Sequence, residues 1–222
     1  MIDLQYDVGH LLSASVLVLS FALLFQRRIL GVLRIFALQA SVLAAAAAWQ
    51  AWIQDAPHLF VTAAIALLFK AVFIPVALRR IVVRLGIHRE IEQVVGVGPT
   101  MLAGLGLTAL AILVTLPVTA AADVLAREDI AFALAVVLLG LLMMIARRNA
   151  VSQVVGFMSL ENGLILAATG AKGMPLVVEL SVAFSVLIAF IIFGVFVFRI
   201  RERFDTVDVH ALDRFRGDQA HG

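Results

Sequence analysis

The sequence contains no cysteine. That excludes a disulfide framework, thiolate zinc sites and cysteine-ligated iron–sulfur clusters within the chain. Charge is scarce as well: Asp, Glu, Lys and Arg make up 14% of the 222 residues, against about 25% in soluble domains. Histidine is limited to His10, His58, His88, His210 and His221. None falls in the middle of an apolar run, which argues against a bis-histidine haem, so any redox metal must belong to a partner. No nucleophile–base pair and no cluster of metal ligands can be read from the spacing. The chain is instead 63% hydrophobic, with a mean hydropathy of +1.08. This is the composition of an all-α integral membrane protein, whose surroundings are lipid and other membrane chains and not nucleic acid.

A membrane span needs about 20 mostly apolar residues. Seven such stretches are expected, at 8–26, 29–53, 58–78, 99–120, 128–146, 149–170 and 174–198. The first does not read as a cleavable signal: Asp3 and Asp7 stand where a basic n-region would be, and no small-x-small site follows. Arginines collect after alternate spans, as Arg27, Arg28 and Arg34, then Arg79, Arg80, Arg84 and Arg89, then Arg147 and Arg148, then Arg199, Arg201, Arg203, Arg214 and Arg216. The opposite side holds Arg127 and Lys172 beside acids such as Asp3, Asp55, Asp123 and Asp129. The positive-inside rule therefore predicts an N-terminus outside and a C-terminus in the cytoplasm. Little sequence is left outside the lipid to form a soluble catalytic domain. The longest polar stretch, 79–98, alternates apolar and charged residues in the manner of an interfacial helix. A basic loop against anionic lipid and a docking surface for a cytoplasmic partner are both compatible with it.

Two stretches resemble each other. One runs from Arg27-Arg28 through Phe36-Ala37-Leu38-Gln39 and Phe69-Lys70 to Arg79-Arg80; the other runs from Arg147-Arg148 through Phe157-Met158-Ser159-Leu160-Glu161 and Phe184-Ser185 to Arg199. Either a duplicated three-helix unit or the common composition of apolar helices explains this. The organisation expected is a three-helix unit at 1–80, a basic loop and connecting helix at 81–127, a second three-helix unit at 128–200 and a cytoplasmic tail at 201–222.

Polar residues within these spans carry the functional information. Glu161 lies about 18–20 Å from the nearer basic end of its span at 1.5 Å per residue. A carboxylate at that depth costs roughly 2.5–3.5 kcal/mol and commonly marks a proton relay; the alternative is a protonated acid bonded to a neighbouring helix. Asn162 and Ser159 could join the same wire or serve ordinary helix–helix hydrogen bonding, as could Gln39. Lys70 lies about 18 Å into its span, and relay and structural ion pair with a carboxylate stand equal for it. Pro75, one turn on, frees a backbone carbonyl and is expected to kink the helix. Glu179, near the outer face, fits either a rim position or a proton-exchanging group. Arg34 can reach the interface. Gly96, Gly98, Gly104 and Gly106 follow no strand, so close helix packing explains them better than a dinucleotide fingerprint.

Residues 128–217 resemble the three-span K-type subunit of respiratory complex I and the C subunit of Mrp cation/proton antiporters. The likeness rests on Ala146-Arg147-Arg148-Asn149, on Gly156-Phe157-Met158-Ser159-Leu160-Glu161-Asn162 and on Asp205-Thr206-Val207-Asp208-Val209-His210-Ala211-Leu212-Asp213. With its extra N-terminal spans and Val178-Glu179-Leu180, the whole chain is similar to component E of hydrogenase-4, a membrane subunit of formate hydrogenlyase-type [NiFe] hydrogenases. The resemblance implies a non-catalytic subunit of an oxidoreductase complex in the bacterial inner membrane, beside antiporter-like subunits and a hydrogenase-like peripheral arm. The NiFe centre and iron–sulfur clusters would belong to partner subunits, with no cofactor in this chain. Glu161 matches the first of two intramembrane glutamates of the K-type subunit. The second falls near Ser185, where there is no carboxylate; Glu179 is almost two turns away, and Lys70 is the other candidate to supply a charge. A structural adaptor, an Mrp-type antiporter subunit and an autonomous transporter are the alternative functions.

Overall fold

The computed structural model describes residues 2–84, 94–118 and 124–170, together with 187, 188, 191 and 194. The chain divides into two compact units, Met1–Ser185 and Val186–Gly222. In the second, Leu187, Ile188, Ile191 and Gly194 are helical.

The regular structure of the described residues is helical. The helices are α1 (Ile2–Phe25), α2 (Ile29–Ile53), α3 (Pro57–Ile65), a π-helical segment (Ala66–Phe73), α4 (Ile74–Arg84), α5 (Val97–Val118), α6 (Val124–Ala146) and α7 (Ala150–Gly170). The segments from Pro57 to Arg84 form one continuous span. Among the described residues six helices are long and apolar enough to cross a membrane. The expected seventh span, 174–198, falls largely outside the described residues, as does Glu179.

Short connections make antiparallel neighbours of α1 and α2, of α2 and the third span, and of α6 and α7. Asp55 turns the chain between α2 and α3 at φ 50°, while the Ala56 N–H returns to the Ala51 carbonyl at 3.1 Å. Helix α1 packs on α2, α5 and α6, and α2 packs on α1, α7 and the third span. The hairpin α1–α2 thus lies against the hairpin α6–α7, first helix to first and second to second.

Glycines set the closest approach, between α6 and α7. A Cβ at Gly140 would stand 2.5 Å from the Leu160 nitrogen; one at Gly163 would stand 2.8 Å from the Val137 nitrogen and 2.9 Å from the Ala133 carbonyl. Without side chains at these points the two backbones can touch, the usual device where lipid supplies no hydrophobic drive between helices. Of the glycines expected to pack closely, only Gly104 does, with Leu139 and Phe21 each 3.1 Å from its virtual Cβ; Gly98 and Gly106 meet nothing within 4 Å.

The third span also departs from expectation. Its helix runs on to Arg84, so 79–84 extend a span and do not begin a separate interfacial helix. Leu78 and Val82 are buried on one side of this extension while Arg79, Arg80 and Arg84 are exposed, which is the i, i+4 pattern of a helix leaving the core. Before Pro75 the helix adopts π winding over Ala66–Phe73, and the Ile74 N–H reaches back five residues to the Phe69 carbonyl. Pro75 has no N–H and its ring crowds the carbonyl four residues earlier. The wider winding accommodates both.

Candidate functional site

The π-helical segment carries Lys70 inward. Its ammonium Nζ lies 3.1 Å from Glu161 Oε2 on α7, and both side chains are 2% exposed. The same Nζ donates to Asn162 Oδ1 at 3.0 Å. An ammonium can only donate, so Asn162 must turn its oxygen toward it. The Asn162 amide nitrogen then faces α2 and donates to Gln39 Oε1 at 3.2 Å. That fixes Gln39 in turn, whose Nε2 donates to Ser20 Oγ at 2.7 Å and to Ser159 Oγ at 3.0 Å. Ser20 Oγ passes its own hydrogen to the Val16 carbonyl at 2.9 Å. The result is a polarised chain across α1, α2, α7 and the third span, with the ion pair at one end.

Glu161 stands roughly 17 Å from Ala150 along α7 at 1.5 Å per residue, near the middle of a membrane-spanning helix. Five of the six sequence-predicted residues, Glu161, Lys70, Asn162, Ser159 and Gln39, therefore converge on one buried site, and Glu179 lies outside the described residues. Two members of the site are ionisable side chains, Lys70 and Glu161. Transfer of one proton from Nζ to Oε2 would turn a charged pair into a neutral one with no net movement of charge out of the site. The amides and hydroxyls hold the partners in place and keep the array polarised.

A second polar group lies nearer the other end of the helices. His10 Nδ1 is 3.2 Å from Asp129 Oδ1, and Asp129 lines a small pocket with Gly9, Ser13, Gln50 and Thr169. Between the two groups sits a hydrophobic cluster that includes Val16, Leu43, Val136, Ile165 and Leu166. In chain order Val16 separates Ser13 from Ser20, Leu43 separates Gln39 from Gln50, and Ile165 separates Asn162 from Thr169. Apolar packing thus divides the mid-membrane site from the pocket.

At the arginine-rich end, Arg147 is 1% exposed. Its Nη2 donates to the carbonyls of Leu23 at 3.2 Å, Leu24 at 2.6 Å and Gln26 at 2.8 Å. These are the carbonyls left without partners where α1 ends, and a cation there also complements the helix dipole. Burial pushes the guanidinium below its ordinary pKa. Two residues on, Asn149 Oδ1 accepts the Val151 N–H at 2.8 Å and the Ser152 N–H at 3.3 Å, capping the start of α7. The stretch Arg147-Arg148-Asn149 thus closes one helix and opens another. Arg27 and Arg28, its counterparts in the first hairpin, are exposed. From the sequence Arg147 reads as an orientation signal and a motif residue but not as a helix cap, and Ser20 goes unremarked, since a serine in an apolar helix commonly does no more than bond its own backbone.

Among the described residues no group of three or more His, Asp or Glu side chains could hold a metal ion. No protein-family model matches the chain, and no solved structure matches it. A relative from Mycobacterium tuberculosis (strain ATCC 25618 / H37Rv), the "Uncharacterized protein Rv0085", is 33% identical over 217 residues, covering 96% of this chain and 95% of its own length.

Proposed function

We propose that this chain, which belongs to the same family as the mycobacterial protein Rv0085, is a non-catalytic membrane subunit of a complex-I-like, energy-converting hydrogenase of the hydrogenase-4 type. It would lie in a bacterial cytoplasmic membrane with its N-terminus outside. The observation that carries this reading is the buried Lys70–Glu161 pair at 3.1 Å, built into a polarised array in the middle of the helices. Ionisable residues this deep usually serve ion pathways. The motif resemblance supplies the setting, in which Glu161 occupies the place of an intramembrane glutamate and Lys70 supplies the second charge. Antiporter-like subunits on either side would feel the pair switch between its charged and neutral forms.

The test is Glu161→Gln in the native complex. Proton pumping should be lost while the complex still assembles and its peripheral arm still turns over; normal pumping would refute the relay role. Purification of the chain in mild detergent should also bring antiporter-like subunits and a hydrogenase-like large subunit with it. A structural adaptor is the second reading. It is favoured by the way Lys70 grips Glu161 and Asn162 together, which ties the third span to α7. That role predicts normal pumping in Glu161→Gln and a reduced yield of complex.

A further inference from the structure

A cleft of about 180 Å³ opens between α2 and the third span toward their arginine-rich ends. Taking a water as about 30 Å³, it has room for some six. Its walls are apolar, with Leu30, Leu33 and Ala37 from α2 and Ala71, Pro75 and Val76 from the third span. The remaining lining side chains are Arg34 and Arg79, both exposed. Val76 is 43% exposed, so the cleft opens sideways as well, onto the face that meets acyl chains.

This lining suits one kind of ligand. Two guanidiniums line the same cleft, and arginine is well suited to bind a phosphate. No acid lines the cleft to satisfy them internally. A free inorganic anion would leave the six apolar walls facing water, whereas an apolar segment alone would leave two cations unmatched. An amphiphile with an anionic phosphate head and a hydrocarbon tail matches both halves. Both arginines stand toward the arginine-rich ends of their helices, and basic pockets between transmembrane helices at headgroup level take up such heads.

We infer that the cleft between α2 and the third span is a binding site for an anionic phospholipid, with the phosphate between Arg34 and Arg79 and an acyl chain along Ala37, Ala71 and Val76. The inner wall is formed by Ala71 and Pro75, at and just beyond the π-helical segment that holds Lys70. A bound acyl chain fills the space on the outer side of that segment. This inference stands independently of the hydrogenase reading.

The test uses the purified, delipidated full chain in an uncharged detergent, titrated with dioleoyl phosphatidylglycerol, dioleoyl phosphatidylcholine or inorganic phosphate. Bound lipid is counted by native mass spectrometry and the melting temperature is followed in parallel. Phosphatidylglycerol should bind and raise the melting temperature. Arg34→Gln and Arg79→Gln should each weaken binding about fivefold, and together about 25-fold, since these two arginines line the cleft and each contributes comparably to holding the anionic head. Arg80→Gln, one residue along but outside the cleft, should leave binding unchanged. Val76→Trp should block the lipid by filling the cleft while keeping both charges, so the inference stays testable if an arginine variant fails to fold. Equal binding of phosphatidylcholine, equal losses in Arg80→Gln, or full protection by inorganic phosphate alone would each overturn it.

Discussion

Replacing Lys70 with methionine would remove the cation that pairs with the buried Glu161 carboxylate. At 3.1 Å the two charges attract by about 5 kcal/mol for an effective dielectric constant near 20. Removing one member of a buried pair typically costs about 3–5 kcal/mol, most of it the penalty on the stranded charge. Lys70→Met and Glu161→Met should each show that loss. At roughly 2–4 °C per kcal/mol for a chain of this size, each single variant should melt about 6–20 °C lower in detergent. The double variant behaves differently. With both charges gone, the main remaining defect is the Asn162 Oδ1 that loses its donor, at about 1–3 kcal/mol. The double variant should therefore be more stable than either single one, with a coupling energy of several kcal/mol. The assay is heat-induced loss of monodisperse protein for the four members of the cycle. Additive losses would mean that the side chains do not sense each other, and the site as described would be wrong.

Two further predictions concern the frame around the site. Gly163→Ala would drive a methyl group into the Val137 nitrogen and the Ala133 carbonyl, which are backbone atoms and cannot swing aside. It should cost about 1–3 kcal/mol, whereas Gly106→Ala, in open space, should be neutral; equal melting temperatures would refute the close seam. Asn149→Ala removes the cap of α7 and should cost about 1 kcal/mol, with Asn149→Ser or Asn149→Asp largely restoring it, all read from the same melting curves.

The sequence made six of the seven expected spans and the polar members of the site legible for a simple reason: in an apolar run every ionisable or amide side chain stands out, and Lys70, Glu161, Asn162 and Gln39 did. Which of them would meet was not legible, because it depends on helix rotation and on the order of packing. The π winding at Ala66–Phe73 was hidden because the run Ala-Leu-Leu-Phe-Lys-Ala-Val-Phe has a single polar residue, Lys70, and so no periodicity to distinguish hydrogen bonds that reach back four residues from those that reach back five. Glycines misled in the same way. Those of α5 were conspicuous in sequence, yet the tight seam formed at Gly140, Gly156 and Gly163, where a partner backbone happens to approach. Arg147 misled by position, since an arginine just past a span reads as a surface charge, and here it is buried against the end of α1.

The wide chain separation within the site has a consequence for biosynthesis. Asn162, which accepts from Lys70, lies 92 residues later in the chain, so the third span leaves the ribosome long before its counter-charge exists. At about 5–20 residues per second, the delay is roughly 5–18 s. During that interval the ammonium of Lys70 has neither Glu161 nor Asn162 to neutralise or bond it. A lone ammonium at that depth costs roughly 2.5–3.5 kcal/mol, and the third span carries that cost until α7 emerges. A chain that ended before α7 would keep the buried charge of Lys70 without the counter-charge that Glu161 supplies.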